Sequence, residues 1–160
     1  QLTIIMHVFF IVMQVIMLKK DFETIQFLQI FMAVIFGFFI DFALFLLSWI
    51  NASNYILQIT YLVASCTILA LGTSMEVMAN VVMLAGEGLT NAISRVTNIE
   101  FGKIKIQVDV TLVTLSILFS FIYFGQIKGI REGTIIASFL VGAITRLFMP
   151  KMKAVISKFI

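Results

Sequence analysis

Residues Ile25–Ile50 read IQFLQIFMAVIFGFFIDFALFLLSWI, and Asp41 is the one charged residue among them. A hydrocarbon core of about 30 Å takes roughly 20 apolar residues as an α-helix. The run is therefore long enough to cross a bilayer, with Trp49 placed as an interfacial anchor. Four further stretches have the same character. Leu2–Leu18 is interrupted only by Thr3, His7 and Gln14 and stops at Lys19-Lys20-Asp21. Tyr55–Leu84 follows the polar turn Asn51-Ala52-Ser53-Asn54, Ile106–Phe124 carries Asp109, and Thr134–Met149 ends at Arg146, Pro150 and Lys151.

The composition of the whole chain agrees. It has 160 residues, 61% hydrophobic and 12% charged, with 17 Phe and 9 Met; soluble domains average about 25% charged. A globule of this size buries only roughly 60–70% of the surface its unfolded chain exposes, so the remaining apolar surface must face lipid. The expected fold is an all-α polytopic transmembrane bundle, one membrane-embedded domain over 1–160, whose first partner is the lipid bilayer. A soluble enzyme, a nucleic-acid binder and a disordered tail are excluded. So is a disulfide scaffold, because Cys66 is the only cysteine.

The third stretch is too long for one straight crossing. Thirty residues at 1.5 Å each make about 45 Å of helix, and Gly72-Thr73-Ser74 is the predicted place to bend. Beyond it Leu89, Ala92, Ile93 and Val96 fall at i, i+3, i+4 and i+7, which predicts a short amphipathic helix near 87–97 lying in the interface. Thr97-x-x-Glu100 reads as a capping box opening the fourth span. Every basic residue except Lys128 and Arg131 falls on one side of this arrangement. The positive-inside rule then puts the C-terminus in the cytoplasm. Gln1, at the edge of a span with neither Met nor a basic leader before it, reads as the start of a chain lacking its first helix. Six spans would return both termini to the cytoplasm. Ile25, Ile30 and Gly37 recur as Ile130, Ile135 and Gly142 at an offset of 105. This frame groups 2–50 with the missing helix as one repeat and 55–150 as the other, and three spans per repeat would invert their topology.

Gly86-Glu87-Gly88-Leu89, Phe101-Gly102-Lys103-Ile104-Lys105, Ile130-Arg131-Glu132-Gly133-Thr134-Ile135-Ile136 and Leu140-Val141-Gly142 resemble the YitT/YczE-like integral membrane proteins of bacteria. The resemblance covers nearly the whole chain and is strongest after Leu84. It implies a six-span protein of the bacterial cytoplasmic membrane and carries no settled activity. This chain has Ala85 where the group often has Pro before the Gly-Glu-Gly turn. The bacterial resemblance also makes the sequon Asn51-Ala52-Ser53 idle.

An ionisable side chain at mid-bilayer costs at least about 2.5–3.5 kcal/mol, which makes each one a functional candidate. Glu76 and Asn80 form, with Ser65 and Gly72, one polar stripe along the third helix, and they are the first candidates for binding a solute. Glu87, between Gly86 and Gly88, sits where a helix N-terminus offers free N–H groups and glycines admit close approach. Asp41 is deep in its span, so it either faces the bundle interior or is held in its neutral form, and it is a candidate coupling group. Asp109 is expected near a span end, paired with Lys105 at i,i+4. Arg131 and Glu132 flank the turn Gly125–Gly133, as an anion-recognising residue and an N-terminal helix acid, or as a solvated charge pair. His7 and Gln14, at i and i+7, suit interhelical hydrogen bonding. With one His and one Cys there is no metal or cofactor constellation and no nucleophile–base set, so no catalysis is argued. Two readings follow. One is a transporter or substrate-binding membrane subunit for a small polar or cationic solute. The other is a non-transporting scaffold or assembly partner of another protein. Either is compatible with a homo-oligomer or a partner membrane protein.

Overall fold

The computed structural model describes residues 2–19, 22, 24–50 and 52–156. Gln1, Lys20, Asp21, Asn51 and Lys158, which entered the sequence reading, lie outside the described residues. Lipid offers no hydrogen bonds to a backbone, so a spanning segment must satisfy its own, and a helix does so within one segment. The described chain is accordingly helical, with no strand among the described residues. Its helices are α1 (Leu2–Leu18), a single 3₁₀ turn (Thr24–Leu28) leading into α2 (Gln29–Leu46), α3 (Tyr55–Ala79), α4 (Ala85–Thr97), α5 (Phe101–Phe124) and α6 (Glu132–Ile156). Four of them are long and apolar enough to cross a membrane, and α1 adds a shorter apolar helix. The protein is a polytopic helical membrane protein.

Several boundaries differ from the sequence expectation. Helix α3 runs unbroken through Gly72-Thr73-Ser74, where Ser74 turns its hydroxyl onto the Ala70 carbonyl at 2.6 Å. The break comes later, at Asn80, whose φ of 48° is the left-handed conformation that asparagine tolerates at a helix end. Asn98 repeats the device after α4 with φ 56°. Thr97 therefore closes α4, donating to the Ile93 carbonyl, and the expected capping box does not form: Glu100 makes no side-chain cap at the start of α5. Pro150, expected to stop the last helix, lies inside α6. Its missing N–H removes one rung, to the Arg146 carbonyl.

Close contacts divide the chain into two compact units. The first holds α1, α2, the last turn of α3, and α4. Phe10, Ile11, Gln14 and Leu18 form the buried face of α1, while Phe9, Val12 and Ile16 remain exposed as a lipid-facing side. Against α1 packs α4, through Ala85, Gly88, Leu89 and Ala92. The buried stripe of α4 thus begins one turn before the predicted Leu89–Val96 stripe, and Val96 is exposed. Small residues win because they let backbones approach. A Cβ on Gly88 would stand 2.7 Å from Gln14 Oε1. The sequence frame groups α4 with 55–150, whereas by its contacts it belongs with α1.

The second unit holds the body of α3 with α5 and α6. Cys66 and Ala70 on α3 meet Val141 on α6, with Leu62, Ala137, Leu140 and Ile144 around them. Helices α5 and α6 cross backbone to backbone. A Cβ on Gly102 would lie 2.9 Å from the Arg146 nitrogen, and one on Gly142 would lie 2.9 Å from the Ile106 nitrogen. Gly125 caps α5 with φ 64°, and the loop beyond is pinned by Ser120, which donates to the Gln126 carbonyl and accepts from the Lys128 N–H.

Gly102→Ala and Gly142→Ala should each lower stability in detergent by about 1–3 kcal/mol, the usual cost of overpacking. Gly37 and Gly72 have open space around them. Alanine there should be neutral or stabilising, since it is the better helix former by about 1 kcal/mol. Thermal unfolding of the four variants checks this; equal melting temperatures would show that the α5–α6 crossing is not close.

Candidate functional site

The site begins with two carboxamides that the apolar chain cannot leave unpaired. Gln14 on α1 and Gln29 at the start of α2 are each 1% exposed. Each donates to the other, Gln29 Nε2 to Gln14 Oε1 at 2.9 Å and Gln14 Nε2 to Gln29 Oε1 at 3.2 Å. Gln14 Nε2 also reaches the Ala85 carbonyl at 3.1 Å. One reciprocal pair thereby ties α1, α2 and the first turn of α4 together. The interhelical hydrogen bonding expected of Gln14 is its role here. Gln29 was not singled out by sequence, although an amide beside Gln26 at i,i+3 in an apolar run was a visible signal.

The link between α3 and α4 is held over this pair. Glu76, in the last turn of α3, accepts from the Leu84 N–H, which satisfies a donor just before α4 begins. Asn80 Oδ1 accepts from Arg95 Nη2 near the far end of α4. Thr90 closes back on the Gly86 carbonyl at 2.9 Å. Between these elements lies a cleft whose walls include Gln26, Gln29, Asn80, Asn91 and Arg95, with Gly88 below. Among the described residues the lining therefore offers four carboxamides, one guanidinium and no carboxylate. Gln26 Oε1 is buried and has no hydrogen-bond partner among the described residues.

The predicted site residues distribute as follows. Asn80 and Gly88 line the cleft, and Glu76 supports its rim. Gly86 and Glu87 lie in the first turn of α4, both partly buried, and a Cβ on Gly86 would meet open space. Ser65 and Gly72, though on the same face of α3 as Glu76, do not line the cleft. Ser65 bonds its own helix at the Leu62 carbonyl, and Gly72 is exposed. Asp41 was expected in the interior or neutral; it is exposed on α2, whose one buried residue is Gln29. Asp109 pairs with Lys105 at 3.0 Å, one turn away and largely covered. Arg131 and Glu132 are both exposed, and Glu132 opens α6 as its first-turn acid. Gln26, Gln29, Asn91 and Arg95 are the cleft residues that the sequence reading did not select.

Gln14→Met should cost about 1–3 kcal/mol, because it strands the buried Gln29 amide. The double variant Gln14→Met/Gln29→Met should recover much of that loss, since neither amide is then left alone. Unfolding of both variants in detergent tests the pair; additive losses would contradict it.

Comparisons with curated proteins and with solved structures found no match. A family model does match, over residues 1–150, and it spans every helix of both units, ending within α6. The chain belongs to the family of unknown function DUF6198.

Proposed function

We propose that this membrane protein binds a small polar solute in the cleft beside α4 and carries it across the bilayer or hands it to a partner. The supporting observation is the buried Gln26 Oε1, without a partner among the described residues, in a cleft where Gln29, Asn80, Asn91 and Arg95 stand beside Leu18, Val81 and Met83. A buried acceptor left unmade costs about 1–3 kcal/mol. Such a cost in an otherwise satisfied region is accounted for by a donor that arrives with a ligand. Small-molecule sites do occur between the helices of bundles, and the free space in this cleft, about 10 Å³, admits one polar group of such a solute.

The charge of the lining revises the solute class. Acids in the spans suggested a cation, but Glu76 is engaged with the Leu84 N–H and the charged side chain in the cleft wall is Arg95. The lining favours a neutral or anionic solute that also carries an N–H or O–H donor for Gln26. On this reading the chain sits in the bacterial cytoplasmic membrane with its C-terminus in the cytoplasm, as its basic residues and its resemblance to the YitT/YczE-like proteins suggest. Asp41 is left as a coupling candidate, and no catalytic step is assigned.

The test is a thermal-shift panel on the purified protein with amino acids, hydroxy acids, simple carboxylates, sugars and nucleosides. It is followed by uptake of any hit into liposomes. A ligand at a hundredfold excess over its Kd stabilises by about 2.7 kcal/mol, so one donor-bearing class should raise the melting temperature by several degrees. Asn91→Leu and Gln26→Leu should abolish that shift, and Glu76→Ala should weaken it. If no class shifts the wild type, or the leucine variants respond as it does, the proposal fails.

A further inference from the structure

The second unit carries a different kind of surface. At one end of the α5–α6 crossing, Ile106, Ala143, Leu147 and Pro150 wall an open, mostly apolar groove that ends at Glu100 and Arg146. On α6 the residues Ala143, Arg146, Leu147 and Pro150 fall at i, i+3, i+4 and i+7, so they share one helix face. The exposed Lys153 continues that face two turns beyond Arg146. Lys103 is exposed next to Gly102, the residue on which Arg146 packs.

Arg146 is held, but not used up. Its Nε donates to Glu100 Oε2 at 2.9 Å, and its side chain is 51% exposed. That bond uses the Nε donor and orients the guanidinium against Glu100. The fork has five donors, and among the described residues no other bond is made to its terminal nitrogens. An oriented guanidinium with its outer edge open, at the mouth of an apolar groove and on a helix face that continues to the exposed Lys153, matches one ligand shape: a phosphate joined to a hydrocarbon chain. Arginine suits such a phosphate because its fork can bind two oxygens at once. We infer that this groove is a binding site for an anionic phospholipid, with an acyl chain along Ile106, Ala143 and Leu147, its phosphate on Arg146, and the rest of its headgroup toward Lys103 and Lys153. The inference is independent of the solute cleft, which belongs to the other unit.

The experiment is native mass spectrometry of the purified protein exchanged into detergent containing equal amounts of phosphatidylglycerol and phosphatidylcholine. A parallel arm adds glycerol phosphate or inorganic phosphate in place of lipid. The wild type should retain phosphatidylglycerol preferentially, and the water-soluble phosphates should neither bind nor displace it. Each basic residue near a lipid phosphate contributes about 1 kcal/mol, or about five-fold in affinity. Lys153→Gln should therefore reduce the preference about five-fold, and Arg146→Gln should reduce it at least as much. Arg146 packs on Gly102, so if Arg146→Gln does not fold, Lys153→Gln and Lys103→Gln decide alone. Equal retention of the two lipids, an unchanged preference in the lysine variants, or tight binding of free phosphate would each overturn the assignment.

Discussion

Gln14 and Gln29 face each other with both halves of their carboxamides paired, and the first unit depends on that pairing. Most of the side chains around them are apolar, and lipid exerts no hydrophobic force between helices. What specifies an arrangement there is close backbone packing and the few polar groups that must find one another. The pair satisfies the second condition. Gly88, which leaves room for Gln14, satisfies the first. The third contact, from Gln14 to the Ala85 carbonyl, places the start of α4 and with it the cleft wall that carries Asn91 and Arg95. The second unit uses the same logic, with Gly102 and Gly142 for close packing and the Arg146–Glu100 bond between α6 and the start of α5.

Much of the fold was legible because a bilayer is a severe solvent. Runs such as Ile25–Ile50 admit one interpretation, and the end of α1 and the polar turn before α3 could be read from charge and composition. What misled was punctuation. Gly72 and Pro150 are helix breakers in water, but in an apolar surrounding an unbroken helix keeps nearly every backbone group satisfied, and both lie inside continuous helices. The actual ends, at Asn80 and Asn98, are set by a left-handed residue. The sequence shows those positions only as ordinary polar ones.

The candidate site was legible in part. Glu76, Asn80 and Gly88 were selected for being polar or small in the wrong place, and the structure gathers them around α4. Their roles differ from the expectation: a rim support, a latch for Arg95, and a notch for Gln14. Gln26, Gln29 and Asn91 carry no charge and lie outside the stripe that marks Asn80, although an amide shielded from water must also find a partner. Many Ser and Thr residues are silent for the opposite reason. Ser74, Thr90 and Thr145 each return their hydroxyl to a carbonyl one turn back and ask nothing of a neighbour. Asp41 shows the limit of reasoning by cost alone. Its depth in α2 demanded a partner, yet among the described residues it stays exposed.

Solute binding requires a polar cleft that water can reach inside a chain otherwise given over to lipid contact. Single cysteines in a Cys66→Ala background, probed in native membranes with a membrane-impermeant, water-soluble thiol reagent, address that claim directly. Cysteine at Asn91 or Asn80 should label, and cysteine at Phe38 or Phe31 on the lipid-facing side of α2 should not. If Asn91→Cys and Asn80→Cys prove as unreactive as the α2 positions, the cleft is closed to solutes and the proposed function is contradicted.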